Sequence, residues 1–267
     1  MQSTLWLLGY AASGAAVGFL AGLLGIGGGM TLVPVLSALF AVQALAPDHS
    51  VHLALGTGMA SIVFTSSASV REHHRHGAVD WSIVARLAPG MAAGSLLSTL
   101  ASGWLPQRVL ALAFALIVFA GATQILLGRR PAAGRGLPGP AALAAIGVLI
   151  GALCGLVAAG GTFLTIPLML FCAVPLHTAI GTAAALGIPT AVIGTIGYVW
   201  AGLRVPDLPP YTLGFVLLPA LAALVLASML TAPMGARFAH RLPVATLKRV
   251  FACLLYVLAA KMAISYW

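Results

Sequence analysis

Three consecutive glycines, Gly27, Gly28 and Gly29, are followed by Thr31 and Pro34, and the same chemistry returns as Gly160, Gly161 and Thr162 ahead of Pro167. A glycine inside a helix costs about 1 kcal/mol relative to alanine. Proline is accommodated in a helix's first turn, where its missing N–H is not needed. The pattern therefore predicts a helix that stops, a turn of bare backbone, and a second helix that restarts near Met30 and Thr31. At such a restart the backbone N–H groups are free and the helix dipole presents partial positive charge, which suits an anion. Thr31 and Thr162 would add hydroxyls. Close helix packing is the competing use of glycine, and it is the preferred account of Gly14, Gly18 and Gly22, which recur every four residues.

Hydroxyls and imidazoles inside apolar stretches form a second group of candidates. Gly56-Thr57 is accompanied by Ser61, Thr65, Ser66 and Ser67, and Gly181-Thr182 by Thr190 and Thr195. Serine and threonine in helices often bond only to their own backbone, so each of these taken singly has a structural reading. Thr57 and Thr182 stand apart because they occupy matching places in two similar stretches. His52 and His177 precede them by one turn; they suit gating or a proton relay, against the alternative of interfacial histidines that are merely solvated. The run REHHRHG at 71–77 reads as a solvated loop rather than a metal site, with Arg75 placed to draw anions.

Several functions are excluded early. The only acids are Asp48, Glu72, Asp80 and Asp207, and none lies in mid-segment, so no carboxylate pair or Ser-His-Asp arrangement supports an enzyme. No cofactor or metal is expected. The net charge of +9 comes from basic residues that form no stripe, which argues against nucleic acid. Cys154, Cys172 and Cys253 make no CxxC pair and read as small membrane-buried hydrophobes.

The elements that must position these residues are membrane segments. With 61% hydrophobic and 6% charged residues, against about 25% charged in soluble domains, lipid must cover most of the surface. Runs bounded by charge, Pro or Gly give ten segments, near 4–26, 30–45, 51–70, 82–103, 108–127, 141–159, 162–175, 178–201, 212–232 and 246–266. The second and seventh are short, so the fold class is an all-α polytopic membrane protein with eight to ten transmembrane helices, those two segments either crossing or re-entrant. No Lys or Arg precedes Arg71, so the first segment is expected to be retained rather than cleaved as a signal peptide.

With the N-terminus outside and sides alternating, Arg71, Arg75, Arg86, Arg129, Arg130, Arg135, Arg237, Arg241, Lys248 and Arg249 fall on the cytoplasmic side, and only Arg108, Arg204 and Lys261 outside. That bias predicts both termini on the periplasmic side.

The Gly-, Pro- and Arg-rich stretch 128–140 divides the chain into repeats at 1–127 and 141–267. Residues 18–36, GFLAGLLGIGGGMTLVPVL, match 151–169, GALCGLVAAGGTFLTIPLM, and HLALGTGMA at 52–60 matches HTAIGTAAA at 177–185. Further pairs are Gly77 with Gly202, Pro89 with Pro219 and Pro106 with Pro243. Five segments per repeat, an odd number, put the two copies in opposite orientations, the arrangement that secondary transporters use for alternating access.

These stretches, together with HGAVDW at 76–81, resemble the TauE/SafE sulfite exporter family, the TSUP transporters, over nearly the whole chain. The resemblance implies export of sulfite or small organosulfonates across the bacterial inner membrane, with proton coupling as one option. The motif positions it carries over are Gly27, Gly28, Gly29, Pro34, Gly56, Thr57, Gly160, Gly161, Pro167, Gly181 and Thr182, with Pro34, Gly56, Pro167 and Gly181 in helix-breaking or structural roles. The chain departs from the family pattern at Thr162, where a third glycine is missing, and at Gly58 and Ala183, where a serine often follows Gly-Thr. The expected partners are a small sulfur anion and the lipid bilayer, with homo-oligomerisation left open. A channel of the same architecture is the alternative to a carrier. The central expectation is that the two restarts, Gly27–Thr31 and Gly160–Thr162, flank one anion site.

Overall fold

The structure, a computed structural model, describes residues 2–24, 28–127, 136–239 and 244–266. Gly27 and residues 128–135, which carry most of the expected linker, lie outside that set. The described residues form ten helices: α1 (Gln2–Leu24), α2 (Gly29–Val42), α3 (Ser50–Arg75), α4 (Trp81–Ser102), α5 (Gln107–Leu127), α6 (Pro140–Leu156), α7 (Thr162–Phe171), α8 (Leu176–Gly202), α9 (Leu218–Ala239) and α10 (Val244–Tyr266). Each corresponds to one hydrophobic run. The chain is an all-α polytopic membrane protein. Among the described residues α3, α4, α5 and α8 are long and apolar enough to cross a bilayer, and the others carry shorter apolar stretches.

Local chemistry sets the boundaries. Asp80 caps α4 by accepting the N–H groups of Ser82 and Ile83 at 2.9 and 3.2 Å. Pro140 opens α6 in its first turn, after Gly139. The helices α2 and α7 hold 14 and 10 residues, or about 21 and 15 Å at 1.5 Å per residue, so neither alone spans a core of roughly 30 Å.

Pro34 and Pro167 depart from the expectation. Each is the sixth residue of its helix, beyond the first turn. The prolines therefore do not start the helices; the glycines do, and each proline leaves one carbonyl of the preceding turn without its helical N–H.

A second departure lies at 212–217. The ninth hydrophobic run begins not as helix but as a two-stranded antiparallel hairpin, β1 (Thr212–Leu213) and β2 (Val216–Leu217), with Thr212 opposite Leu217 and Leu213 opposite Val216. Gly214 at φ 54° makes the turn. The turn drives Phe215 into full burial beside α3 and α8.

The core is built around α3 and α8, which pack on each other. In their most apolar windows 67% and 61% of residues are buried within the protein, against 39% in α5, so these two helices form the centre and α5 meets the surroundings. Around them α1 packs on α9, α4 on α6 and α5 on α10. The first helix of each half thus lies on the fourth helix of the other.

Glycines permit both of these contacts. A Cβ at Gly14 would come within 2.7 Å of the Leu224 carbonyl oxygen, and Gly18 lies as tightly against Ser228. Across the α4–α6 contact Gly90 and Gly94 meet the carbonyls of Ala144 and Val148, while Gly147 and Gly151 meet those of Leu87 and Met91. Here the packing use of glycine applies.

Candidate functional site

The two helix breaks meet. Gly28 precedes α2 at φ 22° and Gly161 precedes α7 at φ 88°, backbone that side-chain-bearing residues rarely adopt. A Cβ at Gly29 would collide with the carbonyl oxygen of Ala158, in the second break, and would lie 2.7 Å from Ile62 Cδ1. A Cβ at Gly160 would lie 3.2 Å from Ile62 Cγ2 and 3.8 Å from Ser66 Oγ. Ile62, a buried residue of α3, therefore touches both breaks. From α8, Gly187 closes the arrangement: its Cα sits beside Gly160, and a Cβ there would be 2.8 Å from Ser66 Oγ.

The hydroxyls near the breaks divide into committed and free. Thr31 Oγ1 donates to the Gly28 carbonyl at 2.8 Å, and Thr165 Oγ1 donates to the Gly161 carbonyl at 2.9 Å. Both threonines close their own first turn, so the Thr31 proton expected to face a ligand is already used. Ser61, Thr65, Ser67, Thr190 and Thr195 likewise donate to carbonyls three or four residues back. Thr162 and Ser66 are different. Each is 5% exposed, and neither hydroxyl has a hydrogen-bond partner among the described residues. The sequence offers Ser66 only as one of several candidate hydroxyls with a structural reading, because its equivalent in the second repeat is Ala191 and duplication does not single it out.

Thr57 and Thr182 are not brought to the breaks. Thr57 Oγ1 accepts the N–H of Leu217 at 3.0 Å, while Gly56 lies against the Phe215 carbonyl. Thr182 Oγ1 accepts the N–H of Asp80 at 2.9 Å, while Gly181 lies against the Ala78 carbonyl. The geometry is the same in both places. In each, Gly-Thr on one half's long helix holds the segment that leads into the fourth helix of the other half. Ala78 N–H donates to the His73 carbonyl, as Phe215 N–H does to that of Tyr198. Gly77, at φ 65°, and Gly214, at φ 54°, precede these held residues. By position in the fold Gly77 thus matches Gly214 rather than Gly202. Pro89 and Pro219 do not match either, the first lying deep in α4 and the second at the start of α9.

The histidines part company as well. His52 is 1% exposed; its Nε2–H faces the carbonyls of Ser102 and Leu105 at 3.0 and 3.1 Å, and its ring packs 4.9 Å from that of Phe215. That arrangement ties the start of α3 to the α4–α5 turn. His177 is exposed at the start of α8. The difference removes the basis for treating the two as one gating pair. In the 71–77 run, helical as far as Arg75, Glu72 gathers two of the side chains: Arg75 pairs with its carboxylate at 3.8 Å on the surface and His76 Nδ1 bonds its carbonyl at 2.9 Å, while Trp81 Nε1–H donates to His74 at 3.3 Å. Both members of the Arg75–Glu72 pair are more than half exposed, so that pair contributes little to stability.

Comparison with known proteins identifies relatives over most of the chain. The family described as sulfite exporter TauE/SafE matches residues 10–262. A probable membrane transporter protein of Haemophilus influenzae is 34% identical over 251 residues, covering 93% of this chain and 95% of its own. A second, the probable membrane transporter protein YdhB of Bacillus subtilis, is 27% identical and covers 87% of this chain and 90% of its own. A third, from Xylella fastidiosa, is 30% identical over 209 residues, covering 74% of this chain and 73% of its own. No solved structure matches. The family and the relatives' names indicate a membrane transporter. The chain, matched over almost its full length, belongs to the TauE/SafE sulfite exporter family.

Proposed function

We propose that the protein is a secondary transporter exporting small sulfur oxyanions, sulfite or organosulfonates, across the bacterial inner membrane, with both termini periplasmic. The carrying observation is the meeting of the two breaks on Ile62. Irregular backbone at membrane depth is tolerated where it is enclosed by protein or lines a cavity. Two helix N-termini converging there offer N–H donors and positive dipole ends to an anion. The proposed ligands are the backbone of Gly28, Gly29, Gly160 and Gly161, with the free hydroxyls of Thr162 and Ser66.

Alternating access is supported by the exchange of partners between halves. α1 lies on α9 as α6 lies on α4, and the Gly56-Thr57 contact repeats as Gly181-Thr182. Those matches fit two inverted copies that rock about α3 and α8. In this conformation Ile62 stands against both breaks, and its withdrawal would open the path.

Reconstitution tests the proposal. Proteoliposomes holding the purified protein are expected to show saturable exchange of labelled sulfite or a labelled sulfonate, without single-channel conductance in planar bilayers. Conductance steps carried by the same anions would instead assign a channel of this architecture.

A further inference from the structure

Two buried nitrogens serve neither the fold nor the proposed anion site. Among the described residues, the fully buried side-chain nitrogen and oxygen atoms that lack a hydrogen-bond partner are His49 Nδ1 and His52 Nδ1. Such atoms are rare in native proteins, and each calls for a reason such as a chemical role, a water or an ion. Here both belong to rings in contact: the His49 and His52 centroids lie 5.2 Å apart, with the planes at 68°. Phe215 packs on both, its centroid 5.7 Å from that of His49 and 4.9 Å from that of His52.

The tautomer of His52 follows from its neighbours. The groups that Nε2 meets, the carbonyls of Ser102 and Leu105, only accept, so Nε2 carries the hydrogen. Nδ1 of the neutral ring is then a lone pair, enclosed and without a donor. A histidine that donates one N–H to a backbone carbonyl and keeps its other nitrogen bare is arranged as metal-binding histidines are. His49 is the N-cap of α3 yet makes no side-chain cap bond, in a place where Ser, Thr, Asp or Asn is preferred. Its ring lies instead against His52 and Phe215.

The ring spacing selects among small ligands. With Zn–N distances of about 2.0–2.1 Å, two imidazoles on one tetrahedral Zn²⁺ hold their centroids about 5 Å apart. A water donating to both nitrogens at about 2.9 Å would set them more than about 6 Å apart. The observed 5.2 Å matches the ion. Among the described residues no group of three or more His, Cys, Asp or Glu side chains converges, so water completes the coordination, as in zinc sites that keep open positions. His49 is half-buried, which gives an ion entry from the end of the molecule where α3 begins. His52 stands ten residues from Ile62 on α3, about 15 Å along the helix, so this place is separate from the two breaks.

We propose that His49 and His52 bind a divalent transition-metal ion, Zn²⁺ by the geometry, through their Nδ1 atoms. The proposal rests on the two rings and not on the transport reading, so metal binding is the measurement.

Purified protein without tag histidines, in phosphatidylcholine nanodiscs, is titrated with Zn²⁺ by calorimetry in the presence of excess Mg²⁺, and the metal retained after desalting is counted. Wild type is expected to take up one Zn²⁺ per chain that Mg²⁺ does not displace. His49→Asn removes one ligand while supplying a preferred N-cap, so the variant should melt as wild type does without zinc and bind Zn²⁺ about tenfold more weakly or worse. His52→Ala should lose the ion as well; if the loss of its ties to Ser102 and Leu105 unfolds it, His49→Asn alone decides. Wild type that takes up no Zn²⁺ overturns the proposal. So does uptake that His49→Asn leaves unchanged, the result expected if His73, His74 and His76 at the end of α3 hold the ion. Zn²⁺ binding that depends on His49, in a protein that moves no sulfite, would leave this site standing and remove the transport reading; sulfite exchange without Zn²⁺ binding would do the reverse.

Discussion

Thr57 and Thr182 are each 0% exposed and each accepts a backbone N–H from the opposite half. A buried N–H that loses its acceptor costs about 1–3 kcal/mol. Thr57→Val and Thr182→Val are therefore expected to destabilise the folded protein by about that amount, and Thr57→Ser to retain most of the stability, as read from thermal unfolding in detergent. Unchanged melting of the valine variants with reduced transport would return these residues to the substrate. The residue scale also shows what duplication in a sequence can and cannot reveal. Matching Gly-Thr pairs are legible as important, but their role is not, because the atoms they hold lie 160 and 102 positions away along the chain. Ser66 is the reverse case: the structure places its free hydroxyl at the second break, and no repeat points to it.

At the scale of the elements, the contacts α1–α9 and α4–α6 depend on backbones approaching through glycine. Forcing a side chain into a well-packed contact costs about 1–3 kcal/mol. Gly151, against the Met91 carbonyl, has no room for a Cβ, whereas Gly9 has nothing within 4 Å of one. Gly151→Leu is expected to lower stability by at least that much and to reduce the yield of monodisperse protein, while Gly9→Leu should change neither; size-exclusion profiles and thermal unfolding of the pair check it. The ten helices were legible because unbroken apolar runs bounded by Gly, Pro or charge leave little choice of element in a membrane. The hairpin at 212–217 was not, since its residues are as apolar as a helix start and only the tertiary contact with Gly56 and Thr57 makes them a turn. Pro34 and Pro167 misled for a related reason: Gly28 and Gly161 already supply the turn ahead of α2 and α7, so the prolines can sit within those helices.

On the scale of the whole molecule, the breaks, α3 and α8 form one centre, with Ile62 against both Gly29 and Gly160. The partner exchange between halves gives that centre two flanks, α1 with α9 and α4 with α6, and the Gly-Thr contacts tie the segment ahead of α9 to α3 and the segment ahead of α4 to α8. Membrane location and family followed from composition and motif. The convergence of the breaks was expected from the glycines and their repetition, but the residue between them was not. An isoleucine within an apolar helix carries no local sign of such a place.

The most direct measurement is exchange of labelled sulfite in proteoliposomes made with wild type, Ile62→Val and Ile62→Phe, each first shown to be folded and monodisperse. The expected result is saturable exchange by wild type and Ile62→Val, with a loss of about tenfold or more for Ile62→Phe, the equivalent of at least about 1.4 kcal/mol. Wild-type exchange that Ile62→Phe matches would contradict a path between the two breaks.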